Sequence, residues 1–128
     1  MTKTIVYQGE PGANSHIACE SFDQKLKSVA CGTFDQAFNE IINGSNDFGM
    51  IPIENSIAGR VADIHRLMPT SGLKIIGEFF LEIQHTLMGV KSSDLSSLRI
   101  VRSHEMALSQ CRNSCLLYTS DAADDTPC

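Results

Sequence analysis

Glu54, Asn55 and Ser56 stand in a row behind the apolar stretch Phe48 to Ile53, and Gly59 follows shortly after. A carboxylate, an amide and a hydroxyl at the end of an apolar strand make a poor core and a good pocket wall. Open α/β sheets hold their ligands beyond the carboxyl ends of their strands. Two other segments are built alike. Gly9-Glu10-Pro11-Gly12-Ala13-Asn14-Ser15 lies between a strand pattern and a helix pattern. Its glycines would free backbone N–H groups at a helix N-terminus, which suits an anion; turn geometry alone would explain them too. Ser103 opens a further helix pattern as a natural N-cap. Gln110 lies two turns further on and nearly on the same face. His104 and Glu105 are an acid and a base by type, but adjacent helix residues do not face each other.

Together the three junctions supply Ser15, Asn55, Ser56, Ser103 and Gln110. All are neutral hydrogen-bonding groups, and they suit a small polar anion. For Glu54 a local cap or ion pair is the plainer role, and for Gly59 a tight backbone approach. The glycine turn is not Gly-x-Gly-x-x-Gly and no Gly-Lys-Ser/Thr follows it, which argues against a dinucleotide or P-loop site. The four histidines lack ligand spacing, so no metal is expected. No Ser/His/Asp or Cys/His spacing suggests a covalent mechanism. The five cysteines are odd in number and irregularly spaced, which reads as free thiols. Cys111 and Cys115 would share a helix face as core thiols.

The elements that must position these groups alternate. Thr4 to Gln8 reads as a strand, Ala13 to Phe22 as a helix with Ile17, Ala18 and Phe22 inward, and Leu26 to Ala30 as a strand. Thr33 caps the next helix, with Gln36 as its capping-box partner. Phe34, Ala37, Phe38, Ile41 and Ile42 form that helix's core stripe, which ends at Asn43-Gly44. Phe48 to Ile53 reads as a third strand, apolar on both faces as in a parallel sheet. Val61 to Met68 is a helix stopped by Pro69. Further strands are expected over Leu73 to Phe80, Glu82 to Val90 and Leu98 to Arg102, then a helix over His104 to Cys115. This alternation predicts an α/β fold with a mainly parallel sheet.

A chain of 128 residues with 42% hydrophobic content can bury one ordinary core. The net charge of -5 argues against non-specific nucleic-acid binding. No apolar run reaches membrane-spanning length and no signal-peptide pattern opens the chain, so no membrane partner and a cytoplasmic location are expected.

The three segments, in order, resemble the prephenate dehydratase family. The family's turn pattern is matched at Tyr7 to Ser15, and its Pro-Ile-Glu-Asn-Ser motif at Pro52 to Ser56 with Gly59. Its Ser-His segment leading to Ala-Leu-x-Gln-Cys is matched at Ser103-His104 and Ala107 to Cys111. Gly77-Glu78 and His85 also fit. The resemblance implies conversion of prephenate to phenylpyruvate, water and carbon dioxide on the route to phenylalanine, with no cofactor. It implies a two-lobed fold of periplasmic-binding-protein type II, with substrate in the cleft. Asn55, Ser56, Ser103 and Gln110 would bind substrate, Glu54 would shape and polarise the site, and Ser15 would be an additional contact. The full-length protein would be a homo-oligomer.

The family's acid is a threonine in a Thr-Arg-Phe motif, and this sequence contains no such motif. The resemblance therefore implies a first lobe over residues 1–80, the start of a second over 81–115, and a separate tail over 116–128. That tail holds Asp121, Asp124 and Asp125 and no basic residue; it reads as a solvated terminus or, preferred here, as foreign sequence. The expectation is a truncated dehydratase domain, inactive as it stands, with Leu98, Ile100 and Leu108 short of partners. The alternative is a non-catalytic binding module for a small anion such as an aromatic keto acid.

Overall fold

The computed structural model describes residues 1–56 and 59–113. The chain divides into two compact units, Met1–Asn55 with Gly59–Ile83 and Ser56–Ala58 with Gln84–Cys128. The first holds a parallel three-stranded sheet in the order β2-β1-β3, with β1 at Thr4–Gln8, β2 at Lys27–Cys31 and β3 at Phe48–Met50. Val6 of the central strand is opposite Val29 on one side and Gly49 on the other. Ile5, Val6 and Tyr7 are all buried, so β1 is covered on both faces. Side chains alternate along a strand. Ile5 and Tyr7 accordingly pack with Cys19 of helix α1 (Asn14–Phe22), whereas Val6 packs with Cys31 and with Ala37 of helix α2 (Phe34–Ile42).

Helix α1 buries Ala18 and Cys19, while Ile17 and Phe22 are half exposed. The expected inward stripe is thus displaced onto small residues, which let the helix lie close to Tyr7. Phe22 instead meets Phe79 edge-on, with ring centroids 6.2 Å apart. Helix α2 follows its sequence pattern more closely. The Thr33 hydroxyl accepts from the Gln36 N–H at 3.1 Å. The Gln36 side chain reaches back to the N–H of Gly32 rather than that of Thr33, so the capping box closes one residue early. Ala37 and Phe38 are buried, Ile41 packs against the cluster of Val6, Cys31 and Ala37, and Ile42 is exposed. Gly44, at φ +79°, ends the helix by donating to the Ile41 carbonyl. At Gly49 the Ile41 side chain of α2 lies against β3, its Cδ1 2.5 Å from where a Cβ would stand.

Several expected elements differ. Strand β3 stops at Met50, short of the predicted Ile53. Pro52 has no N–H to extend the ladder, and the chain turns into a short antiparallel ribbon, β4 (Glu54–Asn55) against β5 (Gly59–Arg60). Helix α3 (Ala62–Ser71) runs through Pro69 instead of stopping before it. Hydroxyls of Thr70 and Ser71 donate to the carbonyls of Leu67 and Met68, and Gly72 at φ +72° ends the helix. Its buried Ile64 and the Arg66–Asp35 ion pair at 3.1 Å hold it beside α2.

Among the described residues, the strands expected over 73–80, 82–90 and 98–102 are absent from both ladders. A β-prone sequence becomes a strand only when a partner pairs its backbone, and here Ile76, Phe80 and Met88 remain largely exposed. In the second unit a 3-10 turn at Leu95–Ser97 is capped by Asp94, and helix α4 occupies Glu105–Gln110. Leu108 is buried against Val101 and Cys111, which corrects the expectation that it would lack partners; Leu98 is half-buried and Ile100 is exposed.

Two stability outcomes follow from these contacts. Thr33→Ala should cost about 1 kcal/mol in urea unfolding, and Thr33→Ser should cost little. The Asp47 carboxylate accepts from the Thr4 N–H at 2.8 Å and from its hydroxyl, which holds the carboxyl below the ordinary range. A depressed folded value stabilises above the unfolded value, near ~4, and that contribution is lost as pH falls through the folded value. Asp47→Asn should therefore flatten the acid limb of stability against pH, and an unchanged limb would refute this role.

Candidate functional site

In the glycine turn, the predicted free N–H groups are already engaged. Gly9 donates to the Cys31 carbonyl, Ala13 to the Glu10 carbonyl and Gly12 to His16 Nδ1 at 2.8 Å. Gly9 and Gly12 take φ of +122° and +89°, a conformation that disfavours other residues. Turn geometry therefore explains both glycines, and these three donors are not an anion cradle. Ser15 is half-buried in the first turn of α1.

His16 is the residue that sequence reading missed here. Its ring stacks on Tyr7, with centroids 5.1 Å apart and planes 11° from parallel. Its Nδ1 accepts from Gly12, so the proton sits on Nε2, which faces Glu20 Oε1 at 3.5 Å. The same carboxylate oxygen accepts from the Ser28 hydroxyl on β2. The chain Gly12–His16–Glu20–Ser28 thus pins the turn, α1 and β2 together, and both ring nitrogens are committed to structure. Its only sequence signal was the i, i+4 spacing of His16 and Glu20. Tyr7, beneath that ring, has its hydroxyl pKa raised by burial and then by neighbouring Cys19, Glu10 and Glu20.

The Pro52–Ser56 motif leaves the carboxyl end of β3 and forms one arm of the ribbon. Glu54 is opposite Arg60 and Asn55 opposite Gly59. Opposite charges across strands support such a pair. The Val61 N–H donates to the Ile53 carbonyl at 3.0 Å and extends the ribbon by a rung. Glu54 and Ser56 are exposed and Asn55 is half-buried. Gly59 takes φ +84°, and a Cβ there would meet nothing within 4 Å. Turn conformation, rather than the expected close approach, accounts for this glycine.

In the second unit, the cap of α4 is His104 and not Ser103. His104 Nδ1 accepts from the Met106 N–H at 3.2 Å, and Ser103 lies one residue outside, exposed. Gln110 is the last residue of α4, whereas Ser103 precedes its cap, so the two do not share a helix face as the sequence suggested. Gln110 Oε1 is 2.9 Å from His85 Nε2, which ties α4 to the segment before it.

The described cysteines are free, with Cys19 and Cys31 buried and Cys111 half-buried. Cys115 lies outside the described residues. Burial, reinforced by Glu20, pushes the Cys19 thiol up to about 11; burial and then Glu40 also raise Cys31. Among the described residues no group of three His, Cys, Asp or Glu side chains could hold a metal ion, and no helix is long and apolar enough to cross a membrane.

These features define an α/β protein with a parallel sheet and polar residues gathered at strand-to-helix and strand-to-ribbon junctions. A family model described as prephenate dehydratase matches residues 5–122. The chain is 39% identical over 110 residues to a bifunctional N-acyl-homoserine lactone acylase/prephenate dehydratase of Komagataeibacter europaeus, covering 86% of this chain and 39% of the relative. It is 34% identical over 111 residues to the bifunctional chorismate mutase/prephenate dehydratase of Escherichia coli K12, covering 84% and 29%. Arogenate dehydratase/prephenate dehydratase 2 of Arabidopsis thaliana, a chloroplastic protein, is 36% identical over 124 residues, covering 95% and 32%. A solved structure titled "GqqA- a novel type of quorum quenching acylases" superposes with a TM-score of 0.73 at 37% identity, covering 91% of this chain and 42% of that one. The chain belongs to the prephenate dehydratase family. It spans well under half the length of these relatives.

The thiol environments give a direct check. A thiol near 11 carries roughly 100-fold less thiolate at pH 8 than one near 9. Brief alkylation of the native chain at pH 8, read by peptide mass spectrometry, should modify Cys111 well before Cys19 or Cys31. Denaturation should erase the difference.

Proposed function

We propose that this chain carries substrate-anchoring residues of a prephenate dehydratase in phenylalanine biosynthesis, and that its 128 residues alone bind an aromatic keto acid without turning prephenate over. The observation that carries the reading is the position of the Pro52–Ser56 motif at the carboxyl end of β3, within a family match over residues 5–122. Dehydration with loss of carbon dioxide is driven by aromatisation of the ring. The protein must then hold two carboxylates and a ketone and help hydroxide leave. General-acid help to that departure is typically worth ~10²–10⁴-fold. Asn55, Ser56, Ser103 and Gln110 supply neutral donors for the anionic groups, Glu54 polarises the site, and Ser15 adds a contact. The acid is the group this sequence lacks, since it contains no Thr-Arg-Phe.

The same reading makes the domain two-lobed and of periplasmic-binding-protein type, cytoplasmic and homo-oligomeric at full length. It needs no metal or organic cofactor. The names of the Komagataeibacter relative and of the solved structure favour a second reading, acyl-amide hydrolysis. Release of fatty acid from an N-acyl-homoserine lactone would distinguish it.

Purified chain should yield no phenylpyruvate from prephenate, followed by absorbance in alkali, and should bind phenylpyruvate in calorimetry. Asn55→Ala should weaken that binding about tenfold, the effect of losing a hydrogen bond to a charged group. Near-normal turnover would overturn the non-catalytic part of the proposal, and absence of binding would overturn the anchoring part.

A further inference from the structure

We infer that His85 is a positioning residue that fixes the Gln110 side-chain amide with its N–H donors turned outward, and so makes this position selective for an anionic group. The inference rests on the reading of Gln110 as a substrate anchor. Its physical basis is the 2.9 Å contact between His85 Nε2 and Gln110 Oε1. With the carboxamide oxygen as acceptor, the His85 tautomer that makes this bond is the one with the proton on Nε2. The contact joins residues 25 positions apart, so it is a tertiary tether and not a helix-local bond.

A glutamine amide presents a donor on one side and an acceptor on the other. Unheld, it can turn over and offer its oxygen to a carboxylate, which repels it. Held at the oxygen by His85, it keeps both N–H donors on the far side. Gln110 is half-buried at the end of α4, next to the half-buried Cys111. The amide is thereby restricted at its terminus by His85 and at its stem by the helix. His85 itself is exposed and needs no contact with the ligand.

The test uses the whole chain, with phenylpyruvate as the probe and phenylacetone as its counterpart without the carboxylate. His85→Leu removes the donor, and His85→Gln restores an N–H near the Nε2 position. His85→Leu should weaken phenylpyruvate binding roughly 3- to 10-fold, the loss of one oriented hydrogen bond. His85→Gln should recover most of it, and phenylacetone binding should not change. In a Gln110→Leu background, His85→Leu should have no further effect. The side-chain amide NMR signals of Gln110 in the ligand-free protein should shift in His85→Leu. Unchanged amide signals would overturn the inference whatever binds. Wild-type affinity in His85→Leu, or equal weakening of both probes, would overturn it while leaving the proposed function standing. If the unmodified chain binds no phenylpyruvate, the proposed function fails and the anchoring role of Gln110 fails with it, even with shifted amide signals.

Discussion

Burial of β1 on both faces is the constraint from which the first unit is built. Three consecutive side chains, Ile5, Val6 and Tyr7, lie under cover, so the strand must be covered by a layer on each side. Parallel neighbours cannot be joined by tight hairpins. Each connection must cross over the sheet, and α1 and α2 supply both the crossings and the covers. Every crossing leaves a strand at its carboxyl end through a turn. Those turns are where polar residues can gather without weakening the core.

The same constraint explains why the turns are rigid. The Gly9–Gly12 turn cannot drift, because Gly9 continues the ladder to Cys31 and Gly12 is held by His16. His16 in turn lies flat on Tyr7, a core residue, and reaches Glu20 and Ser28. A catalytic reading of an imidazole between a carboxylate and a backbone turn would be tempting. Its geometry assigns it to support, since Nδ1 accepts from Gly12 and Nε2 faces Glu20 at 3.5 Å. His104 acts similarly as a cap at α4. His85, by contrast, is placed against Gln110, a proposed ligand contact.

Much of the first unit was legible in sequence. β1 and α2 fall where periodicity and capping signals put them, because there the local preference and the tertiary demand agree. Pro69 does not stop α3, since hydroxyls of Thr70 and Ser71 and the left-handed Gly72 carry the helix to a later end. Residues 73–80 and 82–90 are β-prone yet join neither ladder, since composition says nothing about whether a partner strand exists. His104 rather than Ser103 caps α4, since histidine and serine can both accept from an N–H and only the fold chose between them.

Sequence alone determined the family, through three motifs in order, and the alternation that makes the fold α/β. It also supplied the types of polar group, amides and hydroxyls, that the candidate site could offer. Only the tertiary structure decided which polar groups are already spent. The N–H groups of the glycine turn go to Cys31, Glu10 and His16, and the oxygen of Gln110 goes to His85. For Gly9–Cys31 and His85–Gln110 the physical reason is that a hydrogen bond between residues distant in sequence has no periodicity to announce it. Its partners are brought together by packing, and composition or spacing carries no trace of the pairing.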